Sequence, residues 1–388
     1  MNTPKFEEQL QWITDQGLEL DSRIERRKVN GIYGMYATSP IPIGTVLVKL
    51  PENVRIPVSK DIKYPDSFPF QSKYAHSAAI QMNKGKSSKY HGFFLNLETL
   101  DELKTNSCFF YDEAELDVIK QMNMMLFNSM MSFNNEIRSA VNQIIEFDPS
   151  TDKDSLHRIL LNLSSRGWGN VGFLPIFELF NHCDLKGITL RDLSEGKERG
   201  YIARINYEAG EQVWVSYQKR DMYKFAIAYN YFDPTGSHFI DLGSRVVQQA
   251  KTDFEKLVFQ HTSKHHRLSY QNTNGVINYQ LNEPGVFFLE GAPNLKLINY
   301  VRDNCFQSLD ELKTGVCSSA SFDKKILEFI DYLIHMNNVD NFQLSDIPDN
   351  LHRHYFMLKK EMSILNANKK WVITNSENYI IRPDLKTL

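Results

Sequence analysis

The residues best equipped for chemistry lie in two short runs. Glu178-Leu179-Phe180-Asn181-His182-Cys183-Asp184 sets a carboxylate, an amide, an imidazole, a thiol and a second carboxylate behind the apolar run Phe173–Phe180. Polar groups that follow a strand are where loops build sites on a rigid scaffold. The second run is rich in phenols: Tyr217, Tyr223, Tyr229 and Tyr231, each able to donate and accept a hydrogen bond. Adjacent residues on an extended chain point to opposite faces, so His182 and Cys183 do not make a nucleophile and base pair. His265-His266 and His352-x-His354 lack the cysteine or carboxylate partners of a closed zinc site and read as surface histidines, so no metal is expected. Gly31-Ile32-Tyr33-Gly34 lacks both the Lys-Ser/Thr of a phosphate loop and the third glycine of a dinucleotide fingerprint. Taken alone, Asn181 and His182 read as a satisfied strand end, and the tyrosines as core aromatics with phenols near the surface.

The elements that must position these groups alternate in period. Thr3, Pro4, Phe6, Leu10, Ile13 and Gly17 spell a capped N-terminal helix with one apolar face. Ile32–Ala37, a turn at Ile41–Gly44, and Val46–Leu50 ended by Pro51 have the pattern of a hairpin. The basic run Arg23, Arg26, Arg27, Lys28 contains Glu25 and reads as a solvated helix end. Residues 72–145 return to a helical period, with Leu116, Ile119, Met122, Met125 and Leu126 as a core stripe in one helix over Tyr111–Phe133. Phe173–Phe180 reads as a buried strand, and Tyr201–Asn206 pairs with Gln212–Tyr217 across Tyr207–Glu211. Beyond Gly243 the pattern is mainly helical, with a polar loop at Ser263–Asn274.

Composition bounds the function. A chain of 388 residues suggests roughly two domains. The net charge of −3 argues against a nucleic-acid partner. No apolar run approaches the roughly 18 residues of a membrane span, and Met1–Leu10 has no signal-peptide core. The four cysteines stand at least twelve positions apart, with no C-x-x-C pair. The expectation is a cytoplasmic protein with reduced thiols and no membrane partner, a nuclear site or secretion into a host cell being left open.

Read in order, these signals resemble one family. Asn30-Gly31-Ile32-Tyr33-Gly34-Met35-Tyr36-Ala37-Thr38, then Ile41-Pro42-Ile43-Gly44 and Val46–Pro51, are similar to the G-x-G-x-x-A, I-x-x-G and strand-Pro opening of SET-domain protein methyltransferases. The branch is that of the Rubisco large-subunit methyltransferase and the actin-histidine methyltransferase. Ser88–Leu97 resembles a segment of that branch's helical insertion. Leu174-Pro175-Ile176-Phe177-Glu178-Leu179-Phe180-Asn181-His182 resembles its L-x-P-x-x-D-x-x-N-H, and Ala209-Gly210-Glu211-Gln212 through Tyr217 its A-G-E-Q-(x)4-Y. Tyr229-Asn230-Tyr231-Phe232 stands where Y-G-F is usual, and Gly285–Leu289 with Pro293, Leu297-Ile298 and Tyr300–Arg302 resembles the start of its helical substrate-binding domain. The chain departs from the pattern at the wider spacing Gly31-x-x-Gly34, at Gln218, Asp221-Met222 and Asn230, and at Glu178 for Asp.

The resemblance implies an α+β SET fold of small β-sheets with a threaded pseudoknot. It implies an N-terminal helix at 1–20, a SET domain at 21–243 with a helical insertion at about 65–160, and a helical substrate-binding domain at 244–388. The implied activity is methyl transfer from S-adenosyl-L-methionine to a lysine or histidine of a protein substrate, by a monomer. The implied cofactor residues are Gly34, Met35, Tyr36, Arg166, Glu178, Asn181, His182, Tyr217 and Phe232, with Tyr217 and Tyr229 as catalytic residues. The residues leave lysine and histidine both open. The departures leave open a SET-fold binding module without transfer activity.

Overall fold

The computed structural model describes residues 4–29, 32–168, 171–181, 190–194, 198–215, 221–229, 232, 238–283 and 285–375. The chain folds as two compact units. One comprises Met1–Tyr111, Met130–Gln218 and Ile227–Asn230, the other Asp112–Ser129, Lys219–Ala226 and Tyr231–Leu388. The architecture is the expected α+β mixture of helices and small antiparallel sheets.

In the first unit the N-terminal helix Pro4–Asp15 buries Phe6, Gln9 and Ile13 on one face and ends at Gly17, whose φ of +99° suits a residue without Cβ. A four-stranded antiparallel sheet follows in the order Glu19–Leu20, Val46–Leu50, Glu198–Ile202, Leu190–Ser194. An irregularity between Val46 and Val48 lets the consecutive residues Leu47 and Val48 both face the core, which plain alternation forbids. Residues 70–166 are mainly helical, with helices at Phe70–Asn83, His91–Phe94, Leu100–Asn106, Met124–Phe147 and Lys153–Arg166.

Several expectations of pairing were wrong. Ile32–Ala37 pairs with Ile24–Val29 and not with Val46–Leu50, so Arg26, Arg27 and Lys28 of the basic run lie on a β-strand. Tyr201–Asn206 and Gln212–Tyr217 form no hairpin: the first joins Val46–Leu50, while Gln212 bridges Tyr36 and Tyr207 bridges Ile41. Both outcomes have one cause: alternation specifies a buried face and leaves the partner open. Of Phe173–Phe180 only Phe173 lies in a strand, the short Gly172–Phe173. Pro175 and Ile176 then make a turn, closed by Phe177 N–H on Leu174 O at 3.2 Å, and Phe177–Leu179 is a 3-10 turn.

The second unit opens with Asp112–Ser129, where the expected Tyr111–Phe133 helix is instead Glu113–Met122 and the start of Met124–Phe147, interrupted at Asn123. Asn123 pairs with Asn337, and Asn338 N–H donates to Met122 O. The expected loop at Ser263–Asn274 is instead the end of helix Asp253–His265 and strand Leu268–Thr273, which joins Val276–Leu281 and Val247–Ala250 in one sheet. Helices Leu295–Arg302, Leu309–Thr314, Ser319–His335 and His352–Asn375 complete the unit. His266 is no surface histidine: its ring lies between Glu283 and Asp303, 3.0 Å from each. His354 is fully buried, and that burial drives its pKa well down. Cys305 and Cys317 are buried, and the Cys305 thiol donates to Arg302 O at 3.3 Å. Among the described residues no helix is long and apolar enough to cross a membrane.

Candidate active site

The site is built around the strand Ile32–Ala37. Segment 210–215 lies along it: Gly210 N–H donates to Ala37 O, Ala37 N–H to Glu211 O, and Val213 N–H to Met35 O. The far end of that segment takes in the chain after the 3-10 turn, through Val215 N–H on Asn181 O at 3.0 Å. The Asn181 side chain then donates from Nδ2 to Tyr33 O at 2.8 Å, and Tyr36 Oη donates to Gln212 Oε1 at 3.1 Å. Gly34 faces the meeting point. A Cβ there would overlap the Gln212 amide and stand 3.0 Å from Asn181 Nδ2. Residues about 150 positions apart are thus drawn onto one glycine, and burial raises the Tyr36 phenol pKa beside them.

Glu178 is set by the turn before it. Ile176 holds a φ of +72°, a conformation costly for a β-branched residue. Its side chain is wholly buried, and Phe177 stacks on Tyr201 at 4.1 Å with Phe180 edge-on to the same ring at 5.2 Å, so packing imposes the turn. Gln9 Nε2 donates to Glu178 Oε1 at 3.1 Å, while Oε2 is shut off from water without a partner. Burial pushes the Glu178 pKa up to about 7, opposed by the Gln9 bond and by the charges of Arg166 and Arg26. Arg26 places its guanidinium 4.7 Å from the Phe6 ring and 4.1 Å from the Tyr33 ring, and burial lowers its pKa. Its Nε and Nη1 are buried and unpartnered.

Arg166 ends the helix Lys153–Arg166, which is anchored before it gets there. Arg158 donates to the carbonyls of Phe94, Leu97 and Glu98, and the buried Asn162 exchanges hydrogen bonds with the Glu98 backbone. Arg166 pairs with the Glu98 carboxylate at 3.4 Å and keeps a buried, unpartnered Nε.

Of the expected site residues, Gly34, Met35, Tyr36 and Asn181 come together, and Glu178 and Arg166 share one electrostatic neighbourhood. Tyr229 is half-buried at the bend after helix Met222–Ala228. Phe232, in the second unit, stacks on His238 at 4.6 Å. His182 and Tyr217 lie outside the described residues. Three contributors went unassigned from sequence: Gln212, Arg26 and Gln9. Gln212 was visible inside the Ala209–Gln212 motif. Arg26 and Gln9 gave no local signal, because their role depends on each other's elements.

No protein-family model matches the chain, and no curated protein matches it by sequence. Solved structures do. The SET domain of LSMT bound to lysine and AdoHcy is 12% identical, with 97% of this chain and 92% of that one covered at a TM-score of 0.62. Rubisco LSMT bound to sinefungin and monomethyllysine is 13% identical, covers 97% and 93%, and scores 0.63. The SET domain of LSMT bound to methyllysine and AdoHcy is 12% identical, covers 98% and 94%, and scores 0.64. The fold is therefore the SET fold of those structures along nearly the whole chain.

Proposed function

We propose that the protein is an S-adenosylmethionine-dependent protein N-methyltransferase acting on a lysine or histidine side chain. The reading rests above all on the meeting of Gly34, Asn181 and Gln212 on a SET fold. The residues present suit the cofactor. The missing Cβ at Gly34 lets the Gln212 and Asn181 amides close directly on the strand. The unpartnered polar atoms of Glu178, Arg26 and Arg166 suit the two charges of an amino-acid end. When bound, S-adenosylmethionine supplies an electrophilic methyl group on a sulfonium centre.

In this reading Gly34, Met35, Tyr36, Asn181 and His182 hold the cofactor, and Arg166 and Glu178 receive its charged end. Tyr217 and Tyr229 orient the incoming nitrogen through their hydroxyls, which also accept weak C–H···O contacts. They need not act as bases. A lysine amine with a reference pKa near 10.4 must shed a proton, which burial beside a cation favours, whereas an imidazole near 6.5 needs less help. The helical region after residue 243 holds the protein substrate, and the chain works as a monomer.

The full chain is incubated with labelled S-adenosylmethionine and cell lysate, and the modified residue is identified by mass spectrometry. A methylated lysine or histidine is expected. Tyr229→Phe should lower transfer while leaving cofactor affinity nearly unchanged. Gly34→Ala should weaken cofactor binding by about tenfold or more, on the order of 1.4 kcal/mol. A chain that neither melts higher with cofactor nor labels any protein is a binding module instead.

A further inference from the structure

The helical insertion carries a second concentration of polar chemistry that methyl transfer does not use. A cavity of about 350 Å³ opens between helices Met124–Phe147 and Lys153–Arg166, lined by Phe109, Arg138, Val141, Asn142, Lys153 and His157. Each helix supplies a pair at i and i+4, Arg138 with Asn142 and Lys153 with His157, so each pair presents one face to the cavity. Phe109 and Val141 are buried and form an apolar floor. The Arg138 guanidinium sits 5.4 Å from the Phe109 ring centre and the His157 ring 5.2 Å from it, so the aromatic ring gathers both nitrogen-bearing groups at one spot. Arg166 belongs to the other end of the same helix, about 20 Å along its axis from Lys153.

The charges that line the cavity are all of one sign, and Asp154, next to Lys153, lies outside the lining. None of the lining residues is acidic. Among the described residues, neither Arg138 nor Lys153 has an ion pair or a hydrogen bond. Burial chiefly, then Lys153, lowers the His157 pKa; Asp154 opposes this and Arg138 adds to it. Like charges turned toward one concavity raise its positive potential, and an anion entering it relieves their repulsion.

We propose that this cavity binds a small organic phosphate. Two fixed cations, an imidazole and the Asn142 amide suit a dianionic group better than a single carboxylate. A volume in the range of small-ligand pockets, with an apolar floor, leaves room for an organic body that a bare phosphate ion does not fill. The proposal is independent of the methyltransferase reading.

Full-length protein is titrated calorimetrically with ribose 5-phosphate, cytidine monophosphate and inorganic phosphate at low and physiological salt. The expected result is saturable one-site binding of at least one organic phosphate, tighter than inorganic phosphate and weakened by salt. Arg138→Glu and Lys153→Glu each change an exposed side chain, and each should weaken that binding by at least about tenfold with an unchanged melting temperature. Three outcomes overturn the site: no saturable binding at millimolar probe, inorganic phosphate bound as tightly as the organic probes, or binding that survives both reversals. If one reversal fails to fold, the other alone decides.

Discussion

Glu178 shows how far a side chain's behaviour is set by what surrounds it. Its ordinary value is 4.5, and burial carries it to about 7, with Gln9, Arg166 and Arg26 pulling it back. The folded chain therefore holds a proton between those values that the unfolded chain has released. Stability falls as pH rises through that window, by up to about 3 kcal/mol, and the gain is fully present only below the lower value. Glu178→Gln keeps the shape and removes the titration. The variant should melt above the parent at pH 8 and close to it at pH 5; thermal melts giving a pH-independent difference would contradict a buried, titrating carboxylate. Glu178, Asn181 and Gly34 were legible as candidates because motifs carried them. Arg26 was misread as solvated, because Glu25 beside it is visible in the sequence and the rings of Phe6 and Tyr33 around it are not.

At the scale of elements, local pattern served helices better than strands. The N-terminal helix and the helical insertion follow from apolar spacing and caps, such as the reciprocal capping boxes at Thr99 with Glu102 and Asp112 with Glu115. The approach to the site does not. Gly172 holds φ +85°, and a Cβ there would fall within the ring of Tyr74, whose hydroxyl accepts the Phe173 N–H at 2.8 Å. Gly172→Ala combines backbone strain with overlap of a buried ring. It should cost about 2 kcal/mol or more and lower the urea midpoint. A loss no larger than that of a surface substitution would mean that the Tyr74 contact yields easily.

At the scale of the whole molecule, the second unit is organised around a buried charge. Arg245 meets Asp221 through Nε at 2.8 Å and Nη2 at 2.6 Å, and also pairs with Glu361. Its guanidinium lies 3.3 Å from the Tyr223 ring centre, and Tyr223 and Asn337 donate to Glu361 at 3.0 Å. Burial opposes the Arg245 charge, but Asp221, Tyr223 and Glu361 hold its pKa up, while burial raises that of Glu361. Arg245→Met strands two acidic groups without their cation and should cost about 3 to 5 kcal/mol in equilibrium unfolding. Asp221 is one of the positions where the sequence departs from the motifs it resembles, and the network supplies a structural reason for a carboxylate there. A variant as stable as the parent would show that the network contributes specificity rather than stability.

The sequence alone determined what short-range chemistry can encode: which stretches bury one helical face, which residues cap them, and which ordered motifs match a SET fold. It did not determine which strand pairs with which, that an apolar run folds into a turn at Ile176, or that Arg26, Arg245, His266 and His354 leave the surface. Those outcomes depend on partners tens to hundreds of residues away. Alternation and charge specify a preference for a face or for water, and only the assembled neighbours decide whether that preference is met.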